Sequence, residues 1–187
     1  MSEIQDILKH IEKRKDKTIS LLQELVRTQS VTGEEKAAAE LIMREMKTIG
    51  LSDVRIDGLG NVIGEIGEEK GPLLLYNGHM DTVPTGDRNL WQMDPYSGEV
   101  KDGKVWGRGA CDMKGALAAM LSAAEALNAE NTVLNGKLVI TGVVLEENAA
   151  LEGTRYTIEK DGLKPDYALV GEATGLNVSL GSRGRIE

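Results

Sequence analysis

The fold is decided by a short stretch of sequence, Leu73-Leu74-Leu75-Tyr76, an unbroken apolar run between Gly71-Pro72 and Asn77-Gly78. Such a run is typical of a strand that is buried on both faces, as in a parallel sheet. The sequence predicts two more apolar strands, from Lys137 to Leu145 and from Tyr167 to Val170. Because helical patterns alternate with these strands, we expect an α/β domain of three layers, in which helices flank a largely parallel central sheet.

Further elements are predicted on both sides of this run. Apolar residues recur at helical spacing from Ile4 to Val26 and predict one long first helix. A second helix is predicted from a capping box, Thr32-x-x-Glu35, to a terminal glycine at Gly50. The remaining predictions are short strands at Val54 to Ile56 and Val62 to Ile66, a hairpin turn at Asp102-Gly103, and helices over Met113 to Leu127 and Thr154 to Lys160.

The composition is that of a globular protein and argues against several classes of partner. Hydrophobic residues make up 41% and charged residues 28% of the 187 residues. The net charge of −8, with 2 Trp and no Phe, argues against a nucleic acid or an anionic membrane as partner. The one cysteine, Cys111, suits a reducing compartment, and we interpret it as a small packed residue rather than a zinc ligand or nucleophile. With no apolar secretory segment and no membrane-spanning run, we expect a cytoplasmic protein.

Side chains that can bind a metal ion follow each of the three apolar strands. They are His79 and Asp81 after the first strand, Glu146 and Glu147 after the second, Glu172 after the third, and Asp112 just before a helix. In open α/β sheets, ligands bind at the carboxyl ends of the strands. We therefore expect these residues to converge on one crevice.

The spacing His79-x-Asp81 places a carboxylate where it can hold one ring nitrogen while the other binds a metal. The alternative is a turn histidine beside a capping aspartate. The second histidine, His10, lies between Lys9 and Lys13 in the first predicted helix, and we interpret it as a solvated surface residue.

The pair Glu146-Glu147 leaves a strand, where adjacent side chains point apart. One carboxylate could then bind a metal while its neighbour acts as a general base. The alternative is an exposed pair, which is our interpretation of Glu34-Glu35 and Glu68-Glu69.

A glycine-rich segment, Gly107 to Gly115, superficially suggests phosphate binding, but it has neither the spacing of a phosphate loop nor that of a dinucleotide-binding motif. A better explanation of these glycines is that they allow a tight turn, which brings Asp112 into the crevice. Phosphate or nucleotide binding remains the weaker alternative.

Five sequence motifs stand out along the chain. They are Gly78-His79-Met80-Asp81-Thr82-Val83-Pro84, Trp91 with Asp94-Pro95-Tyr96-Ser97, Gly107-Arg108-Gly109 with Asp112-Met113-Lys114-Gly115, Glu146-Glu147, and Gly171-Glu172-Ala173-Thr174. These motifs occur in the order and spacing of a known family. The chain resembles the co-catalytic zinc aminoacylase and carboxypeptidase family, peptidase family M20, which includes acetylornithine deacetylase and succinyl-diaminopimelate desuccinylase. The resemblance runs from about Leu21 to the last residue.

The resemblance implies a site with two zinc ions, for which cobalt or manganese could substitute. His79, Asp112 and Glu172 would bind the first ion, and Asp112 would bridge to a second that also takes Glu147. Asp81 would orient the ring of His79, and Glu146 would act as general base toward water. The family also implies a cis peptide bond between Asp112 and Met113, a substrate that is an N-acyl amino acid or a small peptide, and a homodimeric full-length form.

The chain departs from the family pattern at two places. Leu145 stands where many members have an acidic residue, and the histidine that completes the second zinc site lies downstream of Glu187 in the family. We therefore expect residues 1–180 to be the N-terminal part of a catalytic domain, truncated before the lid and dimerisation domain, with 181–187 starting the connection to it. These residues alone should hydrolyse substrate feebly or not at all, and a non-catalytic metal-binding or scaffold module is the alternative.

Overall fold

The computed structural model describes residues 3–68, 70–148 and 151–181. The helices of these ranges are α1 (Glu3–Lys13), α2 (Lys15–Arg27), α3 (Lys36–Thr48), α4 (Gly115–Ala129) and α5 (Glu152–Glu159). The strands are β1 (Ser52–Ile56), β2 (Val62–Gly67), β3 (Leu73–His79), β4 (Glu99–Lys101), β5 (Lys104–Trp106), β6 (Lys137–Val143) and β7 (Tyr167–Val170). A 3₁₀ turn (Arg88–Leu90) and a π-helical turn (Ala110–Lys114) complete the set.

The central sheet has five strands in the order β1-β2-β6-β3-β7. The three strands predicted from apolar runs, β3, β6 and β7, are neighbours and run parallel. The other two strands, β1 and β2, add antiparallel pairings, so the sheet is mixed. The short loop between β1 and β2 accounts for the antiparallel pairing of these two strands, because a short connection can join only antiparallel neighbours.

Helices cover both faces of the sheet, which confirms the predicted three-layer α/β domain. One face and helices α2, α3 and α4 enclose the main core, which includes Leu25, Ile42, Leu117 and Ile140. Alternate strand residues point to the opposite face. There, a smaller cluster of Ile63, Leu75 and Val139 packs with residues that include Leu163, which follows α5.

The predicted single first helix is wrong, because the chain breaks at Arg14 between α1 and α2. The sequence offers no apolar side chain between Ile11 and Ile19, so nothing in this stretch can pack onto the core. The Arg14 guanidinium instead pairs with Glu125 on α4. The hairpin prediction is confirmed, since β4 and β5 are joined through Asp102 and Gly103, both with positive φ.

The predicted capping box of α3 is also wrong. Glu35 occupies the N-cap position and makes no side-chain capping bond. Its side chain folds inward, so that the residue is only 6% exposed, and the interpretation of Glu35 as solvated is wrong as well. Glu68 is exposed, whereas residue 69 lies outside the described ranges. The end of α3 is as predicted, with Gly50 in the left-handed region at φ 81°.

The predicted connection over residues 181–187 lies almost wholly outside the described ranges. Only residue 181 is described, and the domain division stays a prediction.

In the described helices, no segment is both long and apolar enough to cross a membrane.

The central position of β6 generates a stability prediction. Replacing Ile140, which is 0% exposed, by Ala should lower the free energy of unfolding by about 2–5 kcal/mol, because a cavity remains among close-packed side chains. The matched control is Ile4→Ala on α1, where the side chain is 68% exposed and the expected change is within about 0.5 kcal/mol. Urea denaturation of both variants measures the difference, and equal losses would contradict the assigned core.

Candidate metal centre

The ring of His79 is held at the end of β3 with one nitrogen directed into the protein. Its Nδ1 lies 3.0 Å from the carbonyl oxygen of Asp81 and 3.5 Å from the Asp81 Oδ1. Its Nε2 lies 3.0 Å from Asp112 Oδ1, 3.7 Å from Glu172 Oε1 and 3.9 Å from Glu146 Oε2. The predicted candidates after three different strands therefore meet around one imidazole nitrogen.

Asp81 is wholly buried and is surrounded by hydrogen-bond donors. Its Oδ2 accepts hydrogen bonds from the Thr32 hydroxyl at 2.9 Å and from the backbone N–H groups of Glu146 and Glu147 at 3.1 and 3.0 Å. Burial on its own would raise the pKa of Asp81, but the hydrogen bonds from His79 and from these donors hold that pKa below its usual value. Asp81 is thus a charged residue that fixes its neighbours from inside the protein.

Asp112 reaches the site from the π-helical turn that precedes α4. Gly109 lies in the left-handed region at φ 78°, which supports the interpretation that the glycines of this segment allow a tight turn. The peptide bond between Asp112 and Met113 is cis, as the family resemblance implies. Cys111 is exposed, so its interpretation as a packed residue is wrong; the turn that directs Asp112 to the site leaves Cys111 on the surface.

Glu146 and Glu147 follow the end of β6 and extend in different directions. Glu146 approaches the imidazole of His79, whereas Glu147 Oε1 accepts a hydrogen bond from the Val83 N–H at 3.4 Å. This divergence is what the sequence predicts for adjacent residues that leave a strand. The two carboxylates therefore have separate surroundings, as separate roles would require.

The site concentrates negative charge. Burial raises the pKa values of Glu146, Glu147 and Glu172, and neighbouring carboxylates, Asp112 among them, raise these values further against the opposing effect of His79. Burial alone would lower the pKa of His79, but the hydrogen bond and charge of Asp81, with the charge of Glu146, raise it to about 9. The arrangement therefore favours a positive charge at the centre of the group.

Three of these residues form a group that could hold a metal ion. His79, Asp112 and Glu172 each offer one ligand atom, and these atoms lie within 4.8 Å of one another. It is the one such group found within the described parts of the chain. Imidazole nitrogens and carboxylate oxygens are common ligands of zinc. A metal-binding histidine is usually oriented by a carboxylate or carbonyl oxygen that accepts a hydrogen bond from its second ring nitrogen.

Sequence reasoning missed three residues that support the site. Thr32 donates to Asp81, and Glu35 accepts from the Leu145 N–H, although both fit a capping pattern in the sequence. Lys114, quoted only as part of a motif, is buried and donates from Nζ to the carbonyl oxygens of Leu25 and Thr28. Burial lowers the pKa of Lys114 to about 8 against the effect of the Asp81 charge. A lysine two residues after a turn aspartate was the one available signal.

His10 lies outside the candidate centre and is not fully solvated as interpreted. Its Nδ1 lies 3.1 Å from Glu130 Oε1, just beyond the end of α4, and its side chain is about one-fifth exposed at 21%. The packing of α1 against α4 explains this burial, because His10 is on the side of α1 that meets α4.

The fold and the site define an α/β protein with a candidate metal centre at the carboxyl edge of its parallel strands. The chain belongs to peptidase family M20/M25/M40, whose sequence profile matches residues 75–183. The expected family resemblance is thereby confirmed.

Curated relatives share about a third of their residues with the chain. An uncharacterized protein of Escherichia coli strain K12, YgeY, is 35% identical over 181 residues, which are 95% of this chain and 44% of YgeY. Succinyl-diaminopimelate desuccinylase 2 of Ruegeria sp. strain TM1040 is 36% identical over 180 residues, which cover 90% of this chain and 45% of that protein. The chain therefore spans somewhat less than half the length of these relatives.

A solved structure supports the fold. The YXEP protein of Bacillus subtilis, described as a dinuclear metal-binding peptidase of the M20 family, superposes with a TM-score of 0.65 at 21% sequence identity. The match covers 85% of this chain and 42% of YXEP. At this identity the likeness shows that the two proteins share a fold.

The raised pKa of His79 generates a prediction on pH and stability. In the unfolded chain the pKa is near 6.5, and in the metal-free fold it is about 9. The protonated ring therefore stabilises the fold fully below pH 6.5, and this stabilisation is lost as the pH rises through about 9. Urea denaturation of the metal-free chain should show it, and His79→Gln should remove this part of the pH dependence. Because His10 is present in both proteins, parallel pH profiles would contradict the assignment.

Proposed function

We propose that the chain carries the metal-binding and catalytic side chains of an amidohydrolase that cleaves N-acyl amino acids or small peptides with water as the nucleophile. The observation that carries the proposal is the convergence of His79 Nε2, Asp112 and Glu172 beside Glu146. A buried, oriented imidazole among carboxylates from separate strands is more than a chance cluster of surface acids.

In this proposal, His79, Asp112 and Glu172 would hold the first zinc ion. A second ion would take Asp112 and Glu147, so the described residues would supply it with two ligands. Cobalt or manganese would suit the same nitrogen and oxygen donors. When bound, zinc supplies Lewis acidity, which polarises the scissile carbonyl and lowers the pKa of water.

Glu146 is the proposed general base. Its side-chain carboxylate lies 3.9 Å from His79 Nε2. The contact of Glu146 with Asp81 is made by the backbone N–H instead, so this carboxylate can face the candidate metal centre. Its raised pKa brings it nearer to neutral pH, where a carboxylate can both accept and return a proton. Glu146 would take the proton from the attacking water and pass it to the leaving amine, while Asp81 keeps the ring of His79 in place.

The substrate class and the assembly of the whole protein are further parts of this proposal. The name of the Ruegeria relative supports an acylated amino acid as substrate, and the description of YXEP supports peptide cleavage with two metal ions. The family resemblance supports a homodimer, and the single cysteine supports a cytoplasmic location.

Metal binding by the 187-residue chain is the first test. Equilibrium titration with zinc should give one tight site per chain and a second that is much weaker, because the second ion has only Asp112 and Glu147 among the described residues. His79→Ala should abolish the tight site. The matched control, His10→Ala, should leave it unchanged. Two equally tight sites, or a tight site that survives in His79→Ala, would contradict the proposed ligands.

Turnover tests the role of Glu146. With zinc or cobalt added, hydrolysis of acetylated, succinylated and dipeptide substrates by this chain should be feeble, and Glu146→Gln should reduce it by about 10²-fold or more. The variant should keep its tight metal site. The control Glu68→Gln replaces an exposed carboxylate and should behave as the wild-type chain does. Equal rates for the wild-type chain and Glu146→Gln would favour a non-catalytic metal-binding module.

A further inference from the structure

The connection between α2 and α3, residues Thr28 to Glu35, forms a strap that runs along the candidate metal centre. The strap carries no proposed metal ligand. It nevertheless contacts three of the four segments that do carry them, and each contact falls within three residues of a ligand or of the general base. The predicted capping box Thr32-x-x-Glu35 lies within it and does not cap α3.

The first contact is with the segment that follows β3. Val31 and Thr82 form an isolated parallel bridge, in which the Thr82 N–H donates to Ser30 O at 2.9 Å and the Thr32 N–H donates to Thr82 O at 3.2 Å. The Ser30 hydroxyl, which is buried, donates to Met80 O at 2.6 Å. The strap thus holds the backbone on both sides of Asp81.

The second contact is with the Asp81 side chain itself. The Thr32 hydroxyl donates to Oδ2 at 2.9 Å, on the same oxygen that accepts from the N–H of Glu147. With Oδ2 occupied in this way, the other oxygen, Oδ1, faces His79 Nδ1 at 3.5 Å. The Thr32 hydroxyl is therefore the side-chain donor that, with the backbone N–H groups of Glu146 and Glu147, orients the Asp81 carboxylate beside the ring of His79.

Two further contacts reach the remaining segments. Glu35 Oε1 accepts from the Leu145 N–H at 3.3 Å, directly before Glu146, and from the Gly33 N–H at 2.8 Å within the strap. Lys114, two residues after Asp112, donates to Thr28 O at 2.8 Å at the start of the strap. The strap therefore joins the segments after β3, after β6 and before α4.

We propose that the strap is a positioning element of the metal centre, and that Thr32 is a positioning residue which acts through Asp81 on the ring of His79. The proposal rests on the proposed function, because it requires His79 to bind a metal. A side chain that holds a carboxylate, which in turn holds a metal-binding histidine, affects affinity without touching the ion. A strap that only closed the fold would affect stability and leave metal affinity unchanged.

Cobalt(II) titration of the 187-residue chain, followed by visible absorption, separates these two roles. Thr32→Val keeps the shape of the side chain and removes the hydroxyl, and it should weaken cobalt binding at the tight site by about 10-fold or more, with a changed absorption spectrum. Thr32→Ser restores a hydroxyl and should recover most of the affinity and the wild-type spectrum. Thermal unfolding of the same samples without metal shows how much stability each variant has lost.

The matched control is Thr18→Val. Thr18 is partly buried and donates its hydroxyl to Ser122 Oγ at 2.9 Å, between α2 and α4. This variant should lose stability much as Thr32→Val does while its cobalt affinity and spectrum stay those of the wild-type chain. A fall in affinity of the same size in both variants would show that the effect is only structural and would overturn the proposal.

Two other outcomes would overturn different statements. If the wild-type chain binds cobalt tightly and Thr32→Val binds it equally well with the same spectrum, the positioning role fails and the proposed function stands. If the wild-type chain binds no cobalt, or if His79→Ala binds as well as the wild-type chain, the proposed metal centre fails and the role of the strap fails with it.

Discussion

The structure depends on one buried carboxylate, that of Asp81. A carboxylate that is removed from water is tolerated only when its oxygens are satisfied by hydrogen bonds or by opposite charge. Here the donors come from separated parts of the chain, the Thr32 hydroxyl and the backbone N–H groups of Glu146 and Glu147, with His79 alongside. Because each donor must reach the same two oxygens, Asp81 fixes how the segment after β6 and the residues around Thr32 lie against the end of β3.

The parallel strands supply the frame on which this constraint acts. In the sheet, His79 pairs in register with Val143, and Asn77 pairs with Val170, so that β3, β6 and β7 end at nearly the same level. Residues that follow neighbouring parallel strands leave the sheet at the same edge, and in open α/β sheets this edge is where ligands bind. The antiparallel strands β1 and β2 widen the sheet and bury more of the core, but none of the proposed ligands lies on them.

Local patterns in the sequence predicted the elements and the site, and they failed where distant contacts decide. Apolar runs predicted β3 and β6, whose residues are buried or partly buried, and they also predicted β7, although all four of its residues are exposed. Thr32 and Glu35 fit a capping pattern equally well, yet the partner of Thr32 is 49 residues away in sequence. The exposure of Cys111 was missed for the same reason, since it depends on which surface a neighbouring segment leaves free. The break at Arg14, in contrast, falls in a local stretch without apolar side chains between Ile11 and Ile19.

Crowding of carboxylates around His79 carries an electrostatic cost that a cation would relieve. Without metal, the ring itself supplies that charge, since its pKa is raised to about 9, and the carboxylates of Glu146, Glu147 and Glu172 take up protons more readily than usual. In the proposed centre, a metal ion would have to displace the proton on Nε2, so that proton and metal would compete for one nitrogen. The same interactions that raise the affinity of the site for a proton prepare it for a divalent ion, because both are attracted by the same carboxylates. The difference is that, in the proposed centre, an ion would be shared by His79, Asp112 and Glu172 at once, whereas a proton remains on one ring.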